Sequence, residues 1–402
     1  MKRCIRYSII IISILLMTFA NLRNASAQSY NILTNNNYQI EARVHYGMLY
    51  PHHLELERYR SHFPSFELSV LRNTFGKNRW EFLYNSPLLG VTFFYSGLGG
   101  NSAPFDELGH VFALYPYINF PLNNDKDSQL TFKLGVGLAY LTKKYHNTDN
   151  YHNYAIGSHV NAAANLSFEY RQHITKRLSA VASLGLTHFS NGSTKTPNFG
   201  INIVSAALGF SFFLKEPNPQ LVNRLKPELY LFEFDYRKYF YIDVALSGGY
   251  KDMTTEFGGH SFFAVINFAG NILYPINEKG RAGISFELVQ DFSDKAYLIS
   301  RGDWTPKYPN LDILRPGLGM TYEMVMDRMS FVFNIGWQLA GADQHEGSFY
   351  QKLSVRYDFY ENWFATFGLT THYAKADFLG LGIGHRFKIK YYTQKKYGKP
   401  RK

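Results

Sequence analysis

Cysteine is all but absent. The 402 residues hold one, Cys4, set among Lys2, Arg3 and Arg6 at the very start, so no disulfide framework and no thiol chemistry is expected of the rest. Long apolar runs are missing as well. Beyond residue 27 no stretch reaches about 18 apolar residues, the length a transmembrane helix needs. Metal-ligand spacing is lacking. His52-His53 beside Pro51, and Asp343-Gln344-His345-Glu346, gather ligand-type side chains without a metal motif's intervals, and loop polarity explains both. The glycine clusters Gly97-Leu98-Gly99-Gly100 and Gly380-Leu381-Gly382-Ile383-Gly384 lie in or beside strand-like runs. They lack the strand-to-helix context of a phosphate-binding turn, so no nucleotide or other cofactor is expected. Arg301-Gly302-Asp303 reads as a loop coincidence.

What is there begins with an export signal. Lys2, Arg3 and Arg6 precede an apolar core from Ile9 to Ala20 that is too short to span a bilayer. Ala25-Ser26-Ala27 supplies a small-x-small cleavage site, predicting a signal peptide over 1–27 and a mature start near Gln28. Removing it takes Lys2, Arg3, Arg6 and Arg23 and no acid, so the formal charge of +11 falls to +7. A basic surface suits a polyanion such as phosphorylated lipid; the export signal disfavours nucleic acid.

Aromatic residues make up 17% of the chain, and apolar residues recur by alternation rather than at helical spacing. An exported chain with alternating segments of about ten residues, aromatic girdles and polar turns predicts an all-β transmembrane outer-membrane barrel. Strands are predicted near 39–50, 64–73, 88–97, 107–121, 129–143, 157–171, 177–190 and 199–214. Eight more follow near 236–250, 258–275, 281–292, 311–325, 329–341, 348–359, 362–373 and 376–390. Between the sets, the Pro-containing segment Lys215 to Pro227 loses alternation and marks a boundary. The expected organisation is a barrel half over 28–215, a second, degenerate half over 216–390 and a basic periplasmic tail over 391–402. Sixteen strands make one large barrel or two eight-stranded units; a single barrel is preferred because tandem barrels are rare. The halves echo each other, Leu186-Thr187-His188-Phe189-Ser190 aligning with Thr370-Thr371-His372-Tyr373-Ala374, as a duplication produces. His372, facing Ala374, is expected to be structural.

The chemistry concentrates at the end of the seventh strand. His188 and Ser190 are two residues apart, so they share one face, about 6–7 Å apart, the relation of a general base to a hydroxyl nucleophile. Their face also carries Ala182, Leu184 and Leu186. Polar groups on an apolar face are costly unless they do something. With an even strand count both termini are periplasmic, so the seventh strand runs outward and its pair sits at the extracellular rim on the lipid face. If Ser190 pairs with Gly200 across the hairpin, His188 lies opposite Asn202, about 5 Å away, where an amide can orient the imidazole. Asn191 and Gly192 follow the serine and offer N–H groups to a developing oxyanion.

His188-Phe189-Ser190-Asn191, followed by Pro197-Asn198-x-Gly200-Ile201, resembles the outer-membrane lipid A 3-O-deacylases, also known as acyloxyacyl hydrolases. The resemblance is specific over 184–204, extends over about 30–215, and says little about 216–402. It implies an eight-stranded barrel that cleaves an ester-linked acyl chain from lipid A in the outer leaflet without a metal. Carried over, Ser190 is the nucleophile, His188 the general base, and Asn191 with the Gly192 amide the oxyanion holders. The family's third member is a glutamate that falls at Asn202. Here the chain departs: an amide fixes a tautomer but does not stabilise an imidazolium by charge. The alternative is a non-catalytic barrel, a pore or structural scaffold retaining a relic motif. A pore requires charged inward residues on many strands and conducts in bilayers.

Overall fold

The computed structural model describes residues 38–74, 78–99, 104–123, 128–216, 239–254, 260–305, 312–341, 347–373 and 375–390. The expected signal peptide, the 343–346 loop, Ala374 and the 391–402 tail lie outside these residues.

Sixteen antiparallel strands form, close to the predicted positions. The first eight are β1 (Tyr38–Leu49), β2 (His62–Asn73), β3 (Leu88–Gly97), β4 (His110–Pro121), β5 (Ser128–Leu141), β6 (Val160–His173), β7 (Leu178–Ser190) and β8 (Ile201–Phe213). The second eight are β9 (Tyr239–Thr254), β10 (His260–Pro275), β11 (Gly280–Asp291), β12 (Leu314–Met326), β13 (Met329–Gln338), β14 (Phe349–Tyr360), β15 (Trp363–His372) and β16 (Lys375–Lys390). Helix α1 (Arg79–Leu83) joins β2 to β3, and α2 (Phe292–Ser300) follows β11.

The preference for a single large barrel is overturned. β1 closes on β8, with Ile40 opposite Phe212 and Met48 opposite Val204. β9 closes on β16, with Leu246 opposite Ile383. The chain is two closed eight-stranded barrels. Eight strands suffice to close around an interior filled by side chains. Closure consumes both free edges of each sheet, which leaves β8 with no edge to offer β9.

The alternation within strands is inside-out relative to a water-soluble protein. On β2, Phe66, Leu68 and Val70 face outward and are about half exposed, whereas Ser65, Glu67 and Ser69 point inward and are buried. That pattern places the apolar belt against lipid. No helix among the described residues is long and apolar enough to cross a membrane; the strands do the crossing.

Both lumens are charged, as a pore requires, but the charges satisfy one another. In the first barrel Arg43 Nη1 lies 2.5 Å from Glu169, Lys133 Nζ 2.5 Å from Glu67 and Arg171 Nη2 2.7 Å from Glu41. In the second, Arg386 binds Asp243 at 2.6 Å and Glu323 at 2.9 Å, while Arg356 and Arg281 reach the same two acids at 2.7 Å. Towards its other end Lys251 bridges Asp291 (2.5 Å) and Asp377 (2.6 Å). Such groups hold the fold conditionally, since removing one partner strands a buried charge at about 3–5 kcal/mol.

The barrels clasp each other at two levels. At the end of the barrels where β1 and β9 begin, the Tyr84 hydroxyl just after α1 lies 3.1 Å from the carbonyl oxygens of Lys279 and Val325. Arg79 pairs with Glu278 at 3.2 Å, and Tyr84 and Phe120 pack with Met326 and Phe331. At the opposite end, the β7–β8 connection is held by β9 and β16. The Asp252 N–H donates to the Ser193 carbonyl (2.8 Å), and its carboxylate accepts from the Thr196 N–H (2.9 Å) and hydroxyl (3.0 Å). Ser193 Oγ donates to the Ala376 carbonyl at 2.6 Å.

Candidate active site

The end of β7 is anchored from inside the barrel. Phe189 points inward and is fully buried with Ile201, Ile203 and Phe94, and Thr187 accepts from Asn165 Nδ2 at 2.9 Å. With these two fixed, alternation turns His188 and Ser190 outward. His188 stands opposite Asn202 in the ladder and Ser190 opposite Ala162 of β6. The expected register is therefore the observed one.

His188 Nδ1 and Asn202 Oδ1 are 2.6 Å apart. Among the described residues no carboxylate acts on His188; Asn202 is its polar partner. The other edge of the ring lies over Gly200, where a Cβ would sit 2.7 Å from Cε1 and 3.4 Å from Nε2. Gly200 adopts φ +82°, so glycine is required there twice, for its backbone and for the imidazole above it. Gly200 is next in register to Ser190, so the free Nε2 edge faces the serine's rung. No hydrogen bond joins His188 to Ser190 among the described residues, and Ser190 is 6% exposed. Catalytic contacts commonly tighten only with substrate in place.

The two residues expected to hold an oxyanion are in different situations. Asn191 is fully engaged in shaping the loop: its N–H donates to Asn198 Oδ1 (3.0 Å), and Nδ2 donates to Ser158 Oγ (2.9 Å) and the Lys195 carbonyl (2.8 Å). Gly192, at φ +61°, keeps an N–H that no acceptor among the described residues takes. A Cβ on Gly192 would come within 2.5 Å of Leu379 Cγ in the second barrel. The loop is thus fastened from within by Asn191 and from outside by β9 and β16.

Sequence reasoning set His52 aside as loop polarity. Closure of β1 on β8 brings it in: the Tyr50 N–H donates to the Asn202 carbonyl at 2.8 Å, and Asn202 Nδ2 lies 2.9 Å from His52 Nδ1. Its neighbour His53 stacks on Phe199 with ring centres 4.3 Å apart. Burial, together with His53 and His188 nearby, lowers the His52 pKa below the ordinary histidine value, against a bond to the Phe199 backbone. The signal for His52 lay only in the barrel's closure, 150 residues away along the chain. His372, aligned with His188 by sequence, faces the opposite way: it lies inside the second lumen, 3.3 Å from Asp377.

Closed barrels with an inside-out apolar belt define an outer-membrane β-barrel protein. Residues 65–211 match the family described as lipid A 3-O-deacylase (PagL), and residues 240–389 match the acyloxyacyl hydrolase C-terminal domain. Each barrel thus carries one match to the lipid A deacylase and acyloxyacyl hydrolase models, and the chain is an outer-membrane enzyme acting on lipid A esters. Similar solved structures include Neisserial surface protein A (10% identity, 44% of this chain and 97% of that one, TM-score 0.30) and the outer membrane enzyme PagL (15%, 42% and 97%, 0.30). A Rhodopseudomonas blastica porin triple mutant overlaps more of the chain (8%, 87% and 100%, 0.18). Overlaps this weak bear on neither fold nor function. No curated protein matches the chain.

Proposed function

We propose that the chain removes an ester-linked acyl chain from lipid A through an acyl-Ser190 intermediate. The observation that carries this reading is the 2.6 Å His188–Asn202 contact beside an outward-facing Ser190 on the rim. Asn202 Oδ1 accepts the Nδ1 proton, which leaves Nε2 with its lone pair as general base. Ser190 Oγ attacks the ester carbonyl and gives its proton to His188 Nε2. The tetrahedral oxyanion meets the free Gly192 N–H, while Asn191 keeps the loop in shape. Collapse expels the lipid A alkoxide, which takes the proton from His188. Water then attacks the acyl carbonyl with His188 again as base, Ser190 leaves with the returned proton, and a fatty acid departs.

The outward placement suits a substrate embedded in the outer leaflet, because the ester reaches the site laterally without leaving lipid. Asn202 in place of glutamate leaves the imidazolium without a counter-charge, so catalysis is expected to be slower than with a carboxylate at that position. Mass spectrometry of lipid A incubated with refolded protein, wild type beside Ser190→Ala, tests the reading. Loss of one acyl mass with wild type alone supports it. An intact lipid A in both samples, with folding verified by heat-modifiable migration, leaves the scaffold with a relic motif.

A further inference from the structure

The amide of Asn202 has two ends, and its usefulness depends on which one faces His188. We infer that His52 is a positioning residue that holds the Asn202 amide with its oxygen towards His188 and thereby sets the His188 tautomer. The inference deepens the esterase reading and rests on it for its catalytic consequence.

Asn202 turns its Nδ2 towards His52 Nδ1 at 2.9 Å, and an amide NH₂ has only donors to offer. A neutral imidazole has one donor and one acceptor nitrogen. Facing amide protons, His52 presents Nδ1 as a lone pair and keeps its own proton on Nε2. The group that meets a lone pair is the NH₂. Asn202 Oδ1 is then the atom 2.6 Å from His188 Nδ1, and an oxygen there demands Nδ1–H on His188. The base lone pair is left on Nε2, the edge over Gly200 and nearest the Ser190 rung. A flipped amide would put NH₂ against His188, turn Nδ1 into the acceptor and move the proton to Nε2, where it blocks the base. The titratable groups that act on His52 are His53 from its own segment and His188 from β7, so protonation of His52 adds an N–H where the Asn202 NH₂ already donates.

Two readouts test this. The first does not need activity: ¹⁵N spectra of histidine-labelled protein refolded in detergent report the His188 tautomer. Wild type is expected to show Nδ1–H, and His52→Leu a mixture. The second is kinetic. His52→Leu is expected to lower kcat by roughly ten- to a hundredfold, less than the roughly 10²- to 10⁴-fold that losing the base itself would cost, with KM nearly unchanged. His52→Gln, whose Oε1 can accept from Asn202, is expected to restore most of it. In an Asn202→Asp background, which has no NH₂ to orient, His52→Leu is expected to cost less than threefold. An unchanged tautomer with unchanged kcat in His52→Leu, in protein whose hydrolysis depends on Ser190, overturns the inference. A tautomer that shifts in protein without hydrolysis leaves the inference standing and removes the esterase reading instead.

Discussion

The two barrels use the same construction to different ends. Each closes eight strands around a lumen of paired charges and presents an apolar belt outward. In the first, the histidine near the end of the seventh strand faces out, towards Asn202 and the rim. In the second, the aligned histidine faces in and lies 3.3 Å from Asp377. A strand's side chains alternate, so the choice of face decides whether an imidazole meets lipid and substrate or is spent inside the barrel. The sequence alignment of the two histidines is therefore not an alignment of their surroundings, because the phase of the alternation differs.

The comparison can be broken most severely at Ser190. Ser190→Ala is expected to lower hydrolysis by about 10³-fold or more, the scale for loss of a nucleophile, with unfolding in urea unchanged. His372→Gln in the second barrel is expected to leave hydrolysis within twofold, measured in the same lipid A assay. A second comparison sets lumen against lumen. Glu169→Ala leaves Arg43 with Glu41 as its remaining close carboxylate, and Glu323→Ala takes the acid from Arg281 and leaves Arg386 with Asp243 alone, so each lumen is left one buried negative charge short. Each is expected to destabilise by about 3–5 kcal/mol, read from denaturant unfolding in lipid vesicles. A milder effect is expected from Gly200→Ala, where the new methyl displaces the His188 ring. Its rate is expected to fall by about tenfold through misplacement of the base. Asp252→Ala in the second barrel is expected to slow the first barrel's reaction by about three- to tenfold by loosening the Ser193–Thr196 segment, with both barrels still folded by heat-modifiable migration.

The smallest expected effect concerns pH. The folded-state pKa of His52 lies below its unfolded value, so the unfolded chain binds the proton more readily. Stability is then full above the unfolded value near 6.5 and declines as pH falls below it, levelling off beneath the folded value. Unfolding midpoints measured from pH 7.5 to 5 are expected to drop slightly more for wild type than for His52→Gln.

Every strand was legible in the sequence because alternation and polar turns are local signals. Number and placement of strands followed from them, and so did the His188–Asn202 rung, since β7 and β8 form one hairpin whose register is set nearby. Closure was not legible. Whether β8 returns to β1 or continues to β9 depends on ladders between strands some 160 residues apart, and the same alternation serves either answer. His52 was missed for the same reason, because only the β1–β8 seam brings it to Asn202. The loop's second fastening, by Asp252, Ala376 and Leu379, likewise needs the barrels side by side. Asn191 illustrates a different limit: its position after the serine suggested an oxyanion donor, whereas its hydrogen bonds tie it to the loop.

The clasp between the barrels also bears on how the enzyme depends on its own abundance. A catalytic barrel that needed a separate barrel to brace its rim would find it by lateral diffusion, and its turnover would climb with crowding in the membrane. Here the brace travels on the same polypeptide, so the encounter is intramolecular and its effective concentration is fixed by connectivity. A single copy in a dilute membrane carries its own support, and specific activity is expected to stay constant as surface density falls.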